Sequence, residues 1–145
     1  MSPSRPSQAE HSEVIAASPE ACLDALLDFD SYPDWQSAVK TAEVLEHGSD
    51  PVVEFRVDAK VKTVRYVLHY HPEPPSRLWW EYVDGDVRSV SGEYELSDLG
   101  DGTTRATYRL EIDPGRFVPG PVKKALTDGV MRTSVRELKV RVEGS

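Results

Sequence analysis

Tyr66, Tyr70, Tyr82, Tyr94 and Tyr108 are five of the chain's six tyrosines, and they recur at alternate positions on the same side as Trp80. A phenol on an apolar face has one main chemical use. It donates a hydrogen bond while staying neutral, to a carbonyl or an enolate oxygen for example. A general base to accompany such donors is harder to find. His69 and His71 are the only close pair among the four histidines, and alternation puts them on the opposite side or in the proline-rich loop that follows. They could share a metal ion, but no further ligand stands beside them in the sequence, so no metal site is expected. Arg88 and Arg116 fall near segment ends, where a guanidinium could meet a carboxylate or an enolate. Ser-His-Asp order, a nucleophile elbow, HExxH and a phosphate-binding glycine loop are all absent from the sequence. Catalytic residues are therefore left unassigned, and no cofactor is expected.

These tyrosines need strands to carry them. From Val39 the hydrophobic period is two. Val39 to Glu46 reads as one strand, ended by the turn His47-Gly48-Ser49-Asp50. Val53, Phe55, Val57, Ala59 and Val61 alternate with charged residues, and Val64, Tyr66, Leu68 and Tyr70 repeat the pattern. His71 to Ser76 breaks the chain. Leu78, Trp80 and Tyr82 follow, then the hairpin signal Asp84-Gly85. Val90, Gly92, Tyr94 and Leu96 come next, and after a turn Ala106, Tyr108, Leu110 and Ile112. Short connections between successive strands imply an antiparallel meander. One face carries Glu54, Arg56, Arg65, Glu81, Glu93, Glu95, Arg105 and Arg109, the pattern of a solvated face with cross-strand charge pairs.

The apolar face must be covered. After Asp113 to Pro121, with three prolines and two glycines, the run from Val122 to Glu143 reads as one amphipathic helix of about 33 Å. Leu126, Val130, Met131, Ser134, Leu138 and Val142 share one arc, while Lys124, Asp128, Arg132, Arg136 and Lys139 share the other. Upstream, residues 11–16 suggest a first strand. Ser18-Pro19-Glu20 is a helix start, with Ser18 as cap. Residues 30–35 allow a short second helical turn.

The chain has 145 residues, with 17 basic and 25 acidic side chains for a formal charge of −8. One domain spanning 9–145 is expected, after a Ser/Pro-rich disordered leader at 1–8. The acidic balance argues against nucleic acid, and the absence of a long apolar run argues against stable membrane insertion. A single cysteine, Cys22, excludes an internal disulfide. A cytoplasmic monomer or weak dimer is the simplest expectation.

Several stretches resemble the polyketide cyclase/dehydrase and START-like (SRPBCC, Bet v 1-like) superfamily. They are Ile15-Ala16-Ala17-Ser18-Pro19-Glu20, residues 28–35 with Val39 and Val44, Trp80, Gly92-Glu93-Tyr94-Glu95-Leu96, and Gly102 to Tyr108. The proline-rich lead into the last helix completes the resemblance. It implies an α+β helix-grip fold: a curved antiparallel sheet of about six to seven strands round a long C-terminal helix, with two short helices after strand 1. It also implies a deep apolar cavity beneath that helix.

Two uses of the tyrosine face stay open. The hydroxyls reach the sheet rim, bond one another or hold water, or else they orient a ligand in a cavity. On the second reading the contacts are Trp35 and Phe117 at the mouth; Phe55, Tyr66, Trp80, Tyr82, Tyr94 and Tyr108 on the sheet; and Leu126, Val130 and Ser134 on the helix. The expected partner is a hydrophobic small molecule, a lipid, isoprenoid or aromatic polyketide. The alternatives are a polyketide cyclase/dehydratase (aromatase) acting on a poly-β-ketone, and a quinone-binding or ribosome-associated toxin-like interaction protein.

Overall fold

A computed structural model describes residues 7–59, 62–113, 115, 120–124 and 130–144, the side chains of 7–9, 122, 123, 130 and 131 excepted. Seven strands form one antiparallel sheet: β1 (Ser7–Ile15), β2 (Val39–Glu46), β3 (Val52–Asp58), β4 (Thr63–Glu73), β5 (Arg77–Gly85), β6 (Ser89–Asp98) and β7 (Thr104–Asp113). Their order across the sheet is β1-β7-β6-β5-β4-β3-β2. The meander is thus the expected one, closed on one side by the N-terminal strand.

Between β1 and β2 lie α1 (Pro19–Leu27), a 3-10 turn at Phe29–Ser31 and α2 (Tyr32–Trp35). Helix α1 starts where its sequence dictates. The Ser18 hydroxyl accepts from the Ala21 amide at 3.2 Å, Pro19 opens the helix and Glu20 sits in its first turn. Cys22, Leu23 and Leu26 face the core. The C-terminal part of the chain contributes α3 (Gly120–Lys124) and α4 (Val130–Glu143). The expected continuity of these two helices falls on 125–129, outside the described residues.

Alternation sets the faces. Val53, Phe55 and Val57, then Val64, Tyr66, Leu68 and Tyr70, and on through Leu110 and Ile112, are buried in one core with Val135 and Leu138 of α4. The outer face is charged. Arg65 Nε is 2.9 Å from Glu54, Arg77 Nε is 3.1 Å from Glu93, and Arg109 reaches Glu10 at 2.7 Å and Glu95 at 3.3 Å. Exposed pairs of this kind each contribute little, about 0–1 kcal/mol.

Several boundaries differ from the sequence expectation: β3 ends at Asp58, leaving Ala59 outside the strand, α3 begins at Gly120, and two others bear on the functional sites. Strand β1 begins at Ser7 rather than His11, pairing as far as Ile112. Strand β4 continues through His71 and Pro72 to Glu73, with His71 opposite Trp79 and Pro72 opposite Leu78. Proline is tolerated there because the last hydrogen bond on the β3 side of β4 is the one from the Tyr70 amide to the Pro51 carbonyl at 2.9 Å, so the missing N–H of Pro72 falls beyond the end of that pairing.

Helix α4 is held by polar ties as well as by its apolar side. The Glu143 carboxylate accepts from the Ala16 amide at 2.7 Å, and Lys139 donates to the Val14 carbonyl at 2.7 Å. At the other flank Glu137 accepts from the Ser37 amide at 3.0 Å. Lys139, expected on the solvent arc, is thus engaged with β1. No helix of the described residues is long and apolar enough to cross a membrane.

Candidate functional site

The inner face closes round an aromatic cavity. Its sheet wall comes from Phe55 of β3, Tyr66, Leu68 and Tyr70 of β4, Leu78 and Trp80 of β5, Val90 and Tyr94 of β6, and Tyr108, Leu110 and Ile112 of β7. Leu26, Tyr32, Gln36, Val39 and Ser134 complete the lining on the helical side. Alternation alone aims these sheet residues inward, and pairing brings them together: Tyr94 lies opposite Tyr108, and Phe55 opposite Tyr66.

The rings form a connected chain. Phe29 meets Tyr70 at 4.7 Å between centroids, Tyr70 meets Trp80 at 5.4 Å, Trp80 meets Tyr108 at 5.5 Å, and Tyr108 meets Tyr94 at 4.5 Å in an edge-on arrangement. Such distances are those favoured by aromatic quadrupoles. Gly92 makes room for this wall. A Cβ there would stand 2.5 Å from the Arg109 carbonyl and 2.9 Å from the Trp80 ring, so only glycine lets the indole lie flat across β6.

Among the described residues, one fully buried side-chain polar atom is unsatisfied. The Tyr94 hydroxyl is buried and has no hydrogen-bond partner, whereas the Tyr32 and Tyr82 hydroxyls donate to the Leu26 and Val87 carbonyls. Burial pushes the Tyr66, Tyr70, Tyr94 and Tyr108 phenols well above their usual range. They are therefore neutral donors and not bases. Among the described lining residues there is no carboxylate or histidine, so the described lining offers donors to an oxygen and no group to take a proton.

The cavity volume is about 50 Å³. That holds a few water molecules, since one needs at least about 10–15 Å³, and falls short of the roughly 300–1,000 Å³ of ligand pockets. A larger concavity of about 930 Å³ runs outside α4, rimmed by Asp34, Trp35, Arg132, Arg136 and Glu137. It is an open, charged surface groove without an orphaned donor, so the aromatic cavity is the stronger candidate site.

Of the residues singled out in the sequence, Phe55, Tyr66, Trp80, Tyr94, Tyr108 and Ser134 come together in the cavity lining. Trp35 and Tyr82 are not in it. Trp35 stands one ring away, edge-on to Tyr32 at 5.2 Å and facing the outer groove. Tyr82 is tied to the β5–β6 hairpin through Val87. Phe117, Leu126 and Arg116 lie outside the described residues, as does the side chain of Val130. Arg88 faces Asp113 at 3.8 Å on the surface.

Tyr32 and Gln36 are absent from the contacts expected from the sequence, as is Tyr70 although it shares the tyrosine face. Tyr70 carried a usable signal, its place in the β4 alternation. Tyr32 and Gln36 carried none, because the irregular stretch round α2 aims them. Gln36 is buried and its amide donates to the Ser134 carbonyl at 3.2 Å, joining α2 to α4 over the cavity.

Comparisons with known proteins agree with this fold. The aromatase/cyclase Zhui of a Streptomyces species superposes with a TM-score of 0.81 at 19% identity, covering 95% of this chain and 94% of that one. A START superfamily protein from Mycobacterium smegmatis gives 0.81 at 20% identity, over 94% and 97%. A STAR-related lipid transfer protein fragment from Xanthomonas axonopodis gives 0.78 at 13%, over 93% and 85%. At such identities these likenesses speak for the fold. Among curated proteins no sequence matches. The family model for polyketide cyclase/dehydrase and lipid transport matches residues 7–143, nearly the whole chain, and the chain belongs to that family.

Proposed function

We propose that this protein binds a hydrophobic small molecule, an isoprenoid, lipid or aromatic polyketide carrying at least one carbonyl or hydroxyl oxygen, in the cavity between the sheet and α4. The observation that carries the proposal is the buried, unpartnered Tyr94 hydroxyl in a lining that is aromatic and aliphatic apart from Gln36 and Ser134. An orphaned buried donor costs about 1–3 kcal/mol, and a ligand oxygen would recover that cost. Family membership supports the same class of ligand. Binding without turnover is favoured over cyclisation because α-proton removal needs a general base, and the described lining supplies none.

At about 50 Å³ the rings nearly fill their own cavity, so a ligand enters only as they part. Native mass spectrometry with organic extraction tests the retained ligand directly. Titration with a hydroxyanthraquinone and with a fatty acid, read by near-ultraviolet circular dichroism, tests the ring movement. Binding to the native chain that weakens several-fold in Tyr94→Phe is the expected result. Equal binding by both proteins, or none by either with no ligand extracted, would sink the proposal.

A further inference from the structure

A second site lies on the opposite face, where the sequence showed a histidine pair without a third ligand. Strand β4 carries His69 and His71 on its outer side, and the turn before β3 brings Asp50 to them. One ligand atom from each of the three lies within 4.8 Å of the others. We propose that Asp50, His69 and His71 bind a divalent transition-metal ion of the zinc type, with Glu81 as the outer-shell partner of His71.

The hydrogen bonding of His71 leads to this assignment. Its Nε2 is 2.6 Å from Glu81 Oε2. A carboxylate only accepts, so a neutral His71 carries its proton on Nε2, and the Nδ1 lone pair points the other way. There it faces Asp50 Oδ2 at 3.5 Å. In that tautomer two acceptors face each other, and a cation held between them would satisfy both. A tetrahedral ion with bonds of about 2.0–2.1 Å holds neighbouring ligand atoms about 3.3–3.4 Å apart, close to the 3.5 Å between His71 Nδ1 and Asp50 Oδ2, with the His69 ligand atom within 4.8 Å of both. The Glu81–His71–metal order is the carboxylate–histidine arrangement by which proteins fix the tautomer and direction of a metal-binding imidazole.

The imidazole is also held in place. The His71 ring stacks on Trp79 at 4.2 Å and lies 4.3 Å from the His69 ring. Trp79 is itself anchored, its indole N–H donating to Glu73 at 2.8 Å. The His71 side chain is 18% exposed and that of Asp50 is 53% exposed, so an ion arrives from solvent and keeps at least one position for water. Two imidazoles with one carboxylate suit zinc, nickel or copper better than magnesium or calcium. Such an ion would clip the β2–β3 turn to β4.

The test is calorimetric titration of the tag-free chain with zinc chloride, alongside its melting temperature with and without zinc. One zinc per chain and a zinc-dependent rise in melting temperature are expected. His69→Gln, His71→Gln and Asp50→Asn should each weaken binding by about 10- to 100-fold or more, and Glu81→Gln by about tenfold. His11→Gln and His47→Gln should leave it unchanged. Asp50 sits on an exposed turn, so its variant reports binding even if a histidine variant folds poorly. No zinc binding, or binding that survives Asp50→Asn and His71→Gln, or binding that is lost with His11 or His47, would overturn the assignment.

Discussion

The two faces of the same sheet solve the problem of polar groups in opposite ways. On the outer face the charged groups have partners or water. Arg65, Arg77 and Arg109 each meet more than one carboxylate, and any that lost a partner would still be hydrated. On the inner face Tyr66, Tyr70, Tyr94 and Tyr108 are all under a tenth exposed, and the Tyr94 hydroxyl is left without a partner. The contrast shows where ligand energy is available. An unsatisfied group matters only where water cannot repair it.

The strongest way to break the comparison is alkali. A phenol whose folded pKa is raised stabilises the fold fully below its unfolded value near 10, and that contribution is lost as pH climbs through the folded value. Each buried tyrosine then costs about 1.4 kcal/mol per pH unit above about 10. Phenolate absorbance should therefore appear together with cooperative unfolding, not before it. Gradual ionisation within a folded protein would show that the inner face is wet.

Trp80→Ala removes the ring that bridges Tyr70, Tyr94 and Tyr108 and should cost about 3–5 kcal/mol in denaturant unfolding. Gly92→Ala adds a methyl against the Arg109 carbonyl and the Trp80 ring and should cost about 1–3 kcal/mol. Both predictions concern shape on the inner face. Tyr94→Phe concerns polarity there. Removing an orphaned hydroxyl should leave the unliganded protein equally stable or up to about 1 kcal/mol more stable. Arg109→Met on the outer face should change stability less than Trp80→Ala or Gly92→Ala, with the difference shrinking at high salt. A larger loss for Arg109→Met than for Gly92→Ala would reverse the ranking of the two faces.

Much of this was legible before any coordinates. The period-two pattern of Val53, Phe55 and Val57, of Leu78 and Trp80, and of Tyr94 and Leu96 fixes which side chains share a face, because a strand has only two. Ser18-Pro19-Glu20 marks a helix start for equally local reasons, a cap acceptor and a ring that needs no N–H. Local rules of this kind identified Phe55, Tyr66, Trp80, Tyr94 and Tyr108 as a set, and an amphipathic final helix as their cover.

What the sequence could not determine depended on contacts between distant segments. Tyr32 and Gln36 reach the cavity because a 3-10 turn and α2 dock beneath α4, and no period governs that approach. His71 lies in a strand that continues through Pro72 because hydrogen bonding on the β3 side ends at the Tyr70 amide, so the missing N–H of Pro72 lies beyond it. Asp50 joins the histidines through a turn some twenty residues away in the chain. The volume left between the rings, and the Tyr94 hydroxyl left without a partner, are set by how the whole inner face closes. Alternation tells each residue which way to point, and only the packed fold decides what it meets there.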